Sequence, residues 1–216
     1  MNHVIREADP AHPPAGTLLL LHGRGADEHD LLGLLDVLDP ERRCRGITLG
    51  APIVSGDPAH PGRHWYVVSR VGFPDPDTFR RTYDELTSFV DDELGLDWPT
   101  TVVGGFSQGG VMAYALGLGA GRPVPAGIMA LSSFVPVVDG WAPDLGSRPG
   151  VEVAHVHGTA DPVIGVDFGR RARALLEAGG AHLLYREFPG GHHVDPRLLG
   201  ELAAWLRERL PAPAGG

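Results

Sequence analysis

The feature that most constrains this chain is an alternation. Short, continuous apolar runs end in Gly, Ser, Asp or His, and a helical pattern follows most of them. The runs are Thr17–Leu21, Gly46–Leu49, Thr101–Phe106, Gly127–Leu131, Val151–His157 and His182–Phe188. They do not alternate polar with apolar, which is what strands covered on both faces require. Helical periodicity predicts helices over Asp77–Glu93, Gln108–Gly119, Val166–Glu177 and Asp195–Leu210; in the first, Phe79, Tyr83, Leu86 and Val90 share a face. Strands separated by helices imply crossover connections and therefore a mostly parallel sheet flanked by helices, an α/β fold. Two long connections, Gly50–Pro76 and Ser132–Gly150, both follow a strand. In an open α/β sheet such segments border the ligand crevice, so they are expected to wall a binding site.

At 216 residues the chain is read as one domain over 1–210, with the tail 211–216 (PAPAGG) expected to be disordered. Its 18 basic and 27 acidic residues leave a net charge of −9, which argues against nucleic acid or an anionic membrane as partner. The N-terminus Met1–Glu7 has no positive segment followed by an apolar stretch, so no signal peptide is expected, and Leu18–Leu21 is far too short to span a bilayer. The single cysteine, Cys44, is unable to form an internal disulfide and fits a cytoplasmic setting. No diagnostic apolar patch is legible, and a homodimer stays open.

The run Gly104-Gly105-Phe106-Ser107-Gln108-Gly109-Gly110 leaves an apolar strand and opens a helix. It contains G-x-S-x-G centred on Ser107. With 31 glycines in the chain, the bare pattern arises too easily by chance to stand alone. Its place between strand and helix is what identifies a nucleophile elbow, a sharp turn that glycines permit and that holds a serine hydroxyl clear of the sheet. An elbow predicts an acid and then a histidine later in the chain. Asp161 follows the strand Val151–His157, and His192 follows the strand His182–Phe188. The hydroxyl needs a base to take its proton, and the imidazole needs a carboxylate to fix its tautomer. Asp139 competes as the acid and His193 as the base, because sequence does not aim a side chain. The turn after Leu19-Leu20-Leu21, His22-Gly23-Arg24-Gly25, is expected to offer the Arg24 amide to an oxyanion alongside the amide of Gln108, with His22 packed beneath the loop.

These segments together resemble the phospholipase/carboxylesterase family of α/β-hydrolases, which includes the acyl-protein thioesterases. The resemblance rests on Leu21-His22-Gly23-Arg24-Gly25-Ala26-Asp27-Glu28, Ala51-Pro52, Trp65-Tyr66, Gly105-Phe106-Ser107-Gln108-Gly109-Gly110, His157-Gly158-Thr159-Ala160-Asp161-Pro162 and Gly191-His192. It runs in order from about Leu18 to Leu210. It implies an α/β-hydrolase fold without a large lid, a Ser107–Asp161–His192 triad, no cofactor, and hydrolysis of small-molecule carboxylic esters or thioesters. Arg24 stands where many relatives have an aliphatic residue, Val67 where many have an acidic one, and His193 is a second imidazole beside the base.

Trp65, Tyr66, Phe73, Phe134, Val135 and Trp141 lie in the long connections and are candidate pocket walls, Trp65 and Phe134 foremost. A short pocket would favour acetyl or butyryl esters, an open groove long acyl chains. Two other classes compete. A metal-dependent hydrolase is suggested by His155-Val156-His157, Asp161 and His192-His193, although H-E-x-x-H is absent and alternating strand positions put His155 and His157 on one packed face. A non-catalytic binding protein on the same fold is the other. The reading favoured here carries no metal.

Overall fold

A computed structural model describes residues 1–56 and 61–211. The expected tail therefore lies outside the described residues except for exposed Pro211. Among the described residues, seven strands make the central sheet: β1 (His3–Arg6), β2 (Thr17–Leu21), β3 (Arg45–Leu49), β4 (Thr101–Phe106), β5 (Gly127–Leu131), β6 (Glu152–Gly158) and β7 (His182–Phe188). Their spatial order is β1-β3-β2-β4-β5-β6-β7. Every pairing is parallel except that of β1 with β3, which puts an antiparallel strand on one edge. Five helices cross between or follow the strands: α1 (Leu32–Leu38), α2 (Pro76–Ser88), α3 (Gln108–Leu118), α4 (Val166–Ala178) and α5 (Leu199–Arg209). The arrangement is the α/β-hydrolase fold expected from the sequence.

Alternation along each strand divides the core into two layers. Leu19, Leu21, Val103, Ile128 and Val153 face α2, α3 and α4, where Phe79, Leu86, Met112 and Leu176 are buried. Leu18, Leu20, Val102, Met129 and Val156 face α1 and α5, meeting Leu35, Leu38, Leu202 and Trp205. Because α3 is buried along its whole length, the elbow stands at the centre of the molecule rather than at its rim.

The six expected strands all form, with ends shifted by at most a residue. Edge strand β1 and helix α1 have no counterpart among the expected elements. β1 is four residues long; Arg6 holds it by donating to the Leu35 and Asp39 carbonyls and pairing with the Asp39 carboxylate at 2.7 Å. α1 contains Gly33, lacks a side-chain cap, and is stabilised by packing on α5 rather than by propensity. The helix expected over Asp77–Glu93 ends at Ser88 and continues as one wider π turn, Phe89–Glu93. Asp75 caps its start by accepting the Thr78 N–H at 2.9 Å. The connection after β3 is broken by two small ribbons, Ile53–Val54 with Arg63–His64 and Val68–Arg70 with Phe73–Pro74.

Candidate active site

β4 runs into α3 through Ser107, whose φ of 55° lies in the left-handed region that a non-glycine residue seldom occupies. This strain exists because the elbow is over-determined on both sides. The Ser107 N–H donates to the Leu131 carbonyl at 2.9 Å, and the following residues are already helical. Two glycines make the turn sterically feasible. A Cβ at Gly109 would collide with the Leu21 carbonyl oxygen, and one at Gly105 with the Gly109 backbone. β2, the elbow and α3 therefore approach more closely than any side chain would allow.

The acid and base arrive on neighbouring loops at the same edge. After β6, Asp161 folds its carboxylate back onto its own turn, where Oδ1 accepts the N–H groups of Val163 and Ile164, each at 2.8 Å. After β7, the loop bearing His192 is joined to that turn through the Ala160 N–H on the Gly190 carbonyl at 2.9 Å and the Thr159 N–H on the Phe188 carbonyl at 2.8 Å. The histidine is thus placed from the acid side. Its Nδ1 lies 2.7 Å from Asp161 Oδ2 and its Nε2 2.9 Å from Ser107 Oγ. The Phe106 ring supports the imidazole at a centroid separation of 4.8 Å. With its carboxylate fully buried and only acceptor sites, Asp161 requires the proton on Nδ1, leaving Nε2 with a lone pair aimed at the hydroxyl.

The competing residues separate cleanly. His193 is exposed and turns its ring edge-on to Phe188 at 5.1 Å, away from the serine. Asp139 is exposed in the Ser132–Gly150 connection and makes no hydrogen bond or ion pair with either histidine. Its position after a strand is real, but the loop carries it elsewhere.

The Gln108 N–H opens α3 and so has no intrahelical acceptor. The Arg24 N–H likewise lacks an acceptor among the described residues. The turn carrying Arg24 is fixed from below by His22. That residue's Nδ1–H donates to the Gly23 carbonyl at 2.6 Å, and its Nε2 accepts the Ala51 N–H at 3.0 Å. Burial pushes the His22 imidazole below its ordinary pKa, which suits a neutral ring with one donor and one acceptor.

A cavity of about 120 Å³ opens beside the serine, walled by Tyr66, Val68, Phe134, Val163 and Ile164, with Arg24 and Arg70 also on its lining. Phe134 is on its lining. Trp65 is not. Its side chain is fully buried beneath the loop, donating from Nε1 to the His22 carbonyl at 2.8 Å. The expectation that Trp65 contacts substrate is corrected: an indole N–H drawn to a buried carbonyl anchors the loop, and Tyr66 takes the cavity wall. Val135 and Trp141 also lie off this wall, Trp141 packing on Phe79. The Gln108 side chain had no assigned role in the sequence. It accepts the Trp65 N–H through Oε1 and donates through Nε2 to the Tyr66 carbonyl, both at 3.0 Å. No local pattern signals that bridge.

His155 and His157 do share a buried face, but their ring nitrogens are engaged in a hydrogen-bonded line. Among the described residues the one cluster of three metal-capable groups is Asp27, Glu28 and His29, outside the triad.

Comparison with known proteins gives a consistent picture. Residues 2–210 match the sequence profile of the phospholipase/carboxylesterase family. An acyl-protein thioesterase 1 from Neurospora crassa is 29% identical over 222 residues, spanning 92% of this chain and 88% of that protein. The carboxylesterase of Bacillus cereus superposes with a TM-score of 0.80 at 24% identity, covering 97% of this chain and 94% of that one. Esterase PE8 superposes with a TM-score of 0.79 at 26% identity, covering 96% of this chain and 98% of its own.

Proposed function

The chain belongs to the phospholipase/carboxylesterase family, and from that premise we propose that it hydrolyses carboxylic esters or thioesters through an acyl-enzyme on Ser107. The observation that carries this reading is the hydrogen-bonded line from Asp161 through His192 to Ser107 Oγ. In the first half-reaction Oγ bonds to the substrate carbonyl carbon while its proton passes to His192 Nε2. The tetrahedral oxyanion is met by the Gln108 and Arg24 amides, a role supported by their lack of another acceptor among the described residues. His192 then protonates the departing alkoxide or thiolate, and the acyl group stays on the serine. In the second half-reaction water attacks that acyl group, its proton passes to His192, and the acid leaves as Oγ is reprotonated. Asp161 stabilises the imidazolium in both halves and is not itself protonated.

The cavity supports a short acyl group as first reading. At about 120 Å³ it is comparable with apolar cavities of about 150 Å³ that hold one benzene, which corresponds to an acyl chain of about four to six carbons. A second reading, long acyl chains, is favoured by an adjoining groove of about 340 Å³ that shares Gly72, Phe73 and Phe134 and continues past Phe168 and Leu175. The Neurospora crassa relative is named an acyl-protein thioesterase, which supports a thioester among the substrates. One hydrolase domain over 1–210 is supported by the extent of the family match. A cytoplasmic setting is supported by the lone, buried Cys44, whose thiol burial pushes up to about 12. Among the described residues no helix is long and apolar enough to cross a membrane. A homodimer is testable by light scattering.

Hydrolysis of p-nitrophenyl esters from acetate to palmitate is the test. Ser107→Ala should lower kcat by more than about 10³-fold without lowering Tm. Turnover retained in a clean preparation would refute the assignment, and the preferred chain length separates the two readings. A folded protein that turns over no ester and leaves Ser107 unlabelled by a fluorophosphonate would instead be a binding protein.

A further inference from the structure

The histidine pair flagged as a rival metal site has a different use. His155 and His157 alternate along β6 and are both fully buried. Three short contacts connect them into a line: Tyr114 Oη to His155 Nδ1 at 2.8 Å, His155 Nε2 to His157 Nδ1 at 3.2 Å, and His157 Nε2 to the Ile164 carbonyl at 2.7 Å. The polarity of the line follows from its last member. A carbonyl only accepts, so His157 carries its proton on Nε2. A neutral His157 then accepts at Nδ1, which requires the proton on His155 Nε2, and His155 Nδ1 in turn accepts from the tyrosine hydroxyl. Burial keeps both rings neutral, pushing His155 down to about 3 and His157 down as well, and it keeps the Tyr114 hydroxyl protonated.

The line ends on the acid turn. Ile164 is held from both sides, its carbonyl by His157 and its N–H by Asp161 Oδ1. His157 Nε2 also lies 3.7 Å from Asp161 Oδ2, the oxygen that faces His192. The surroundings exclude water: a Cβ at Gly169 of α4 would come within 2.7 Å of His157 Nδ1, and the Tyr185 ring stacks on His155 at 5.5 Å. Three buried polar groups that satisfy one another and a single backbone carbonyl contribute little to stability over an apolar packing of the same shape. What an apolar packing would not supply is a fixed tautomer. Without the tyrosine donor, His155 loses the partner that favours a bare Nδ1, and only the Ile164 carbonyl and the Asp161 carboxylate still hold the His157 proton on Nε2; part of the population can then move it to Nδ1. That would set the Nε2 lone pair against the Ile164 carbonyl and beside the Asp161 carboxylate, both of them negative.

We propose that Tyr114, His155 and His157 are positioning residues whose one-way hydrogen-bonded line holds the Asp161–Ile164 turn and so aims Asp161 at His192. The proposal rests on the serine-hydrolase reading above and adds a requirement to it.

The experiment compares wild type, His157→Leu, His157→Gln and Tyr114→Phe on one p-nitrophenyl ester, with the downfield proton resonance of the His192 Nδ1–H···Asp161 bond and the imidazole nitrogen shifts recorded alongside. His157→Leu should lower kcat about 10- to 100-fold with KM nearly unchanged, and shift or broaden the downfield proton. Glutamine presents an amide N–H near the former Nε2, so His157→Gln should recover most of kcat. Tyr114→Phe, which keeps the ring and removes the hydroxyl, should move both histidines away from pure Nε2–H tautomers and lower kcat about threefold or more. It also stands as the decisive variant if His157→Leu does not fold. Wild-type tautomers other than Nε2–H, or kcat and the downfield proton unmoved in folded His157→Leu or Tyr114→Phe, would overturn the proposal. Failure of the wild type to turn over esters or to be labelled at Ser107 would overturn the enzyme reading instead, and the two failures are told apart by that control.

Discussion

Replacing Gln108 by leucine separates two things this residue does. Its backbone N–H is assigned to the oxyanion, whereas its side chain bridges the buried Trp65 N–H and Tyr66 carbonyl, each at 3.0 Å. Leucine retains most of the volume and loses both bonds. A buried backbone group left without a partner costs about 1–3 kcal/mol, so two orphans less a modest apolar gain give a net loss of about 2–4 kcal/mol. In a chain of this size each kcal/mol moves Tm by about 2–4 °C, so the variant should melt about 5–15 °C lower. The chemistry responds differently. Because the N–H of residue 108 is retained, kcat should stay within about threefold of wild type, while KM rises as Tyr66 loses its anchor on the cavity wall. Gln108→Glu keeps the acceptor for Trp65 but sets a buried carboxylate against the Tyr66 carbonyl, so its loss should be at least as large as leucine's. Urea melts and steady-state kinetics on a short p-nitrophenyl ester read both effects. Stability within about 0.5 kcal/mol of wild type would refute the bridging role, and a collapse of kcat at unchanged stability would show that the side chain enters the chemistry.

Further outcomes follow from the same geometry. Gly109→Ala forces a Cβ onto the Leu21 carbonyl and should abolish ester turnover or folding, whereas Gly33→Ala in α1 meets nothing within 4 Å and should stabilise by about 0.5–1 kcal/mol; similar melts for the two would contradict the packing of the elbow. Arg6→Met leaves the buried Asp39 carboxylate without its cation and should cost about 3–5 kcal/mol, which a denaturant titration showing a loss below about 1 kcal/mol would refute. Stability should also fall in mild acid. His155 has a folded pKa near 3 against 6.5 unfolded, so below pH 6.5 the unfolded chain gains a proton the folded one lacks, and stability drops as pH falls. Between pH 6.5 and 5 that one ring removes about 2 kcal/mol, with His157 and His22 adding in the same direction; an unfolding free energy flat over that range would contradict their buried, neutral state.

Much of the molecule could be read from the amino-acid order because the signals are local. Apolar run length marks β2 to β6, which are buried on both faces, although β7, also expected to be covered, lies on the other edge with only Phe188 buried. Helical periodicity marks α2 and its burial of Phe79 and Leu86, and the glycines around Ser107 answer the needs of a tight turn. The order Ser107, Asp161, His192 is equally legible, since each residue ends a strand of one parallel sheet and parallel strands deliver their ends to one edge. β1 and α1 were not legible. Each is short, and each is held by partners distant in sequence, Asp39 for Arg6 and α5 for Leu35.

What only the tertiary structure decided is where side chains point. His192 and His193 are chemically identical neighbours, and the choice falls to the backbone bonds that tie their loop to the acid turn. Trp65 and Tyr66 are adjacent aromatics, yet one is drawn inward because its N–H meets the His22 carbonyl, leaving the other on the cavity wall. The partners of the buried histidines are equally distant from pattern: His155 meets a tyrosine 41 residues away, and His157 meets one carbonyl of the acid turn. Pattern and spacing specify which backbone conformations a segment favours. Direction, tautomer and burial are settled by contacts between segments that meet only once the sheet has formed.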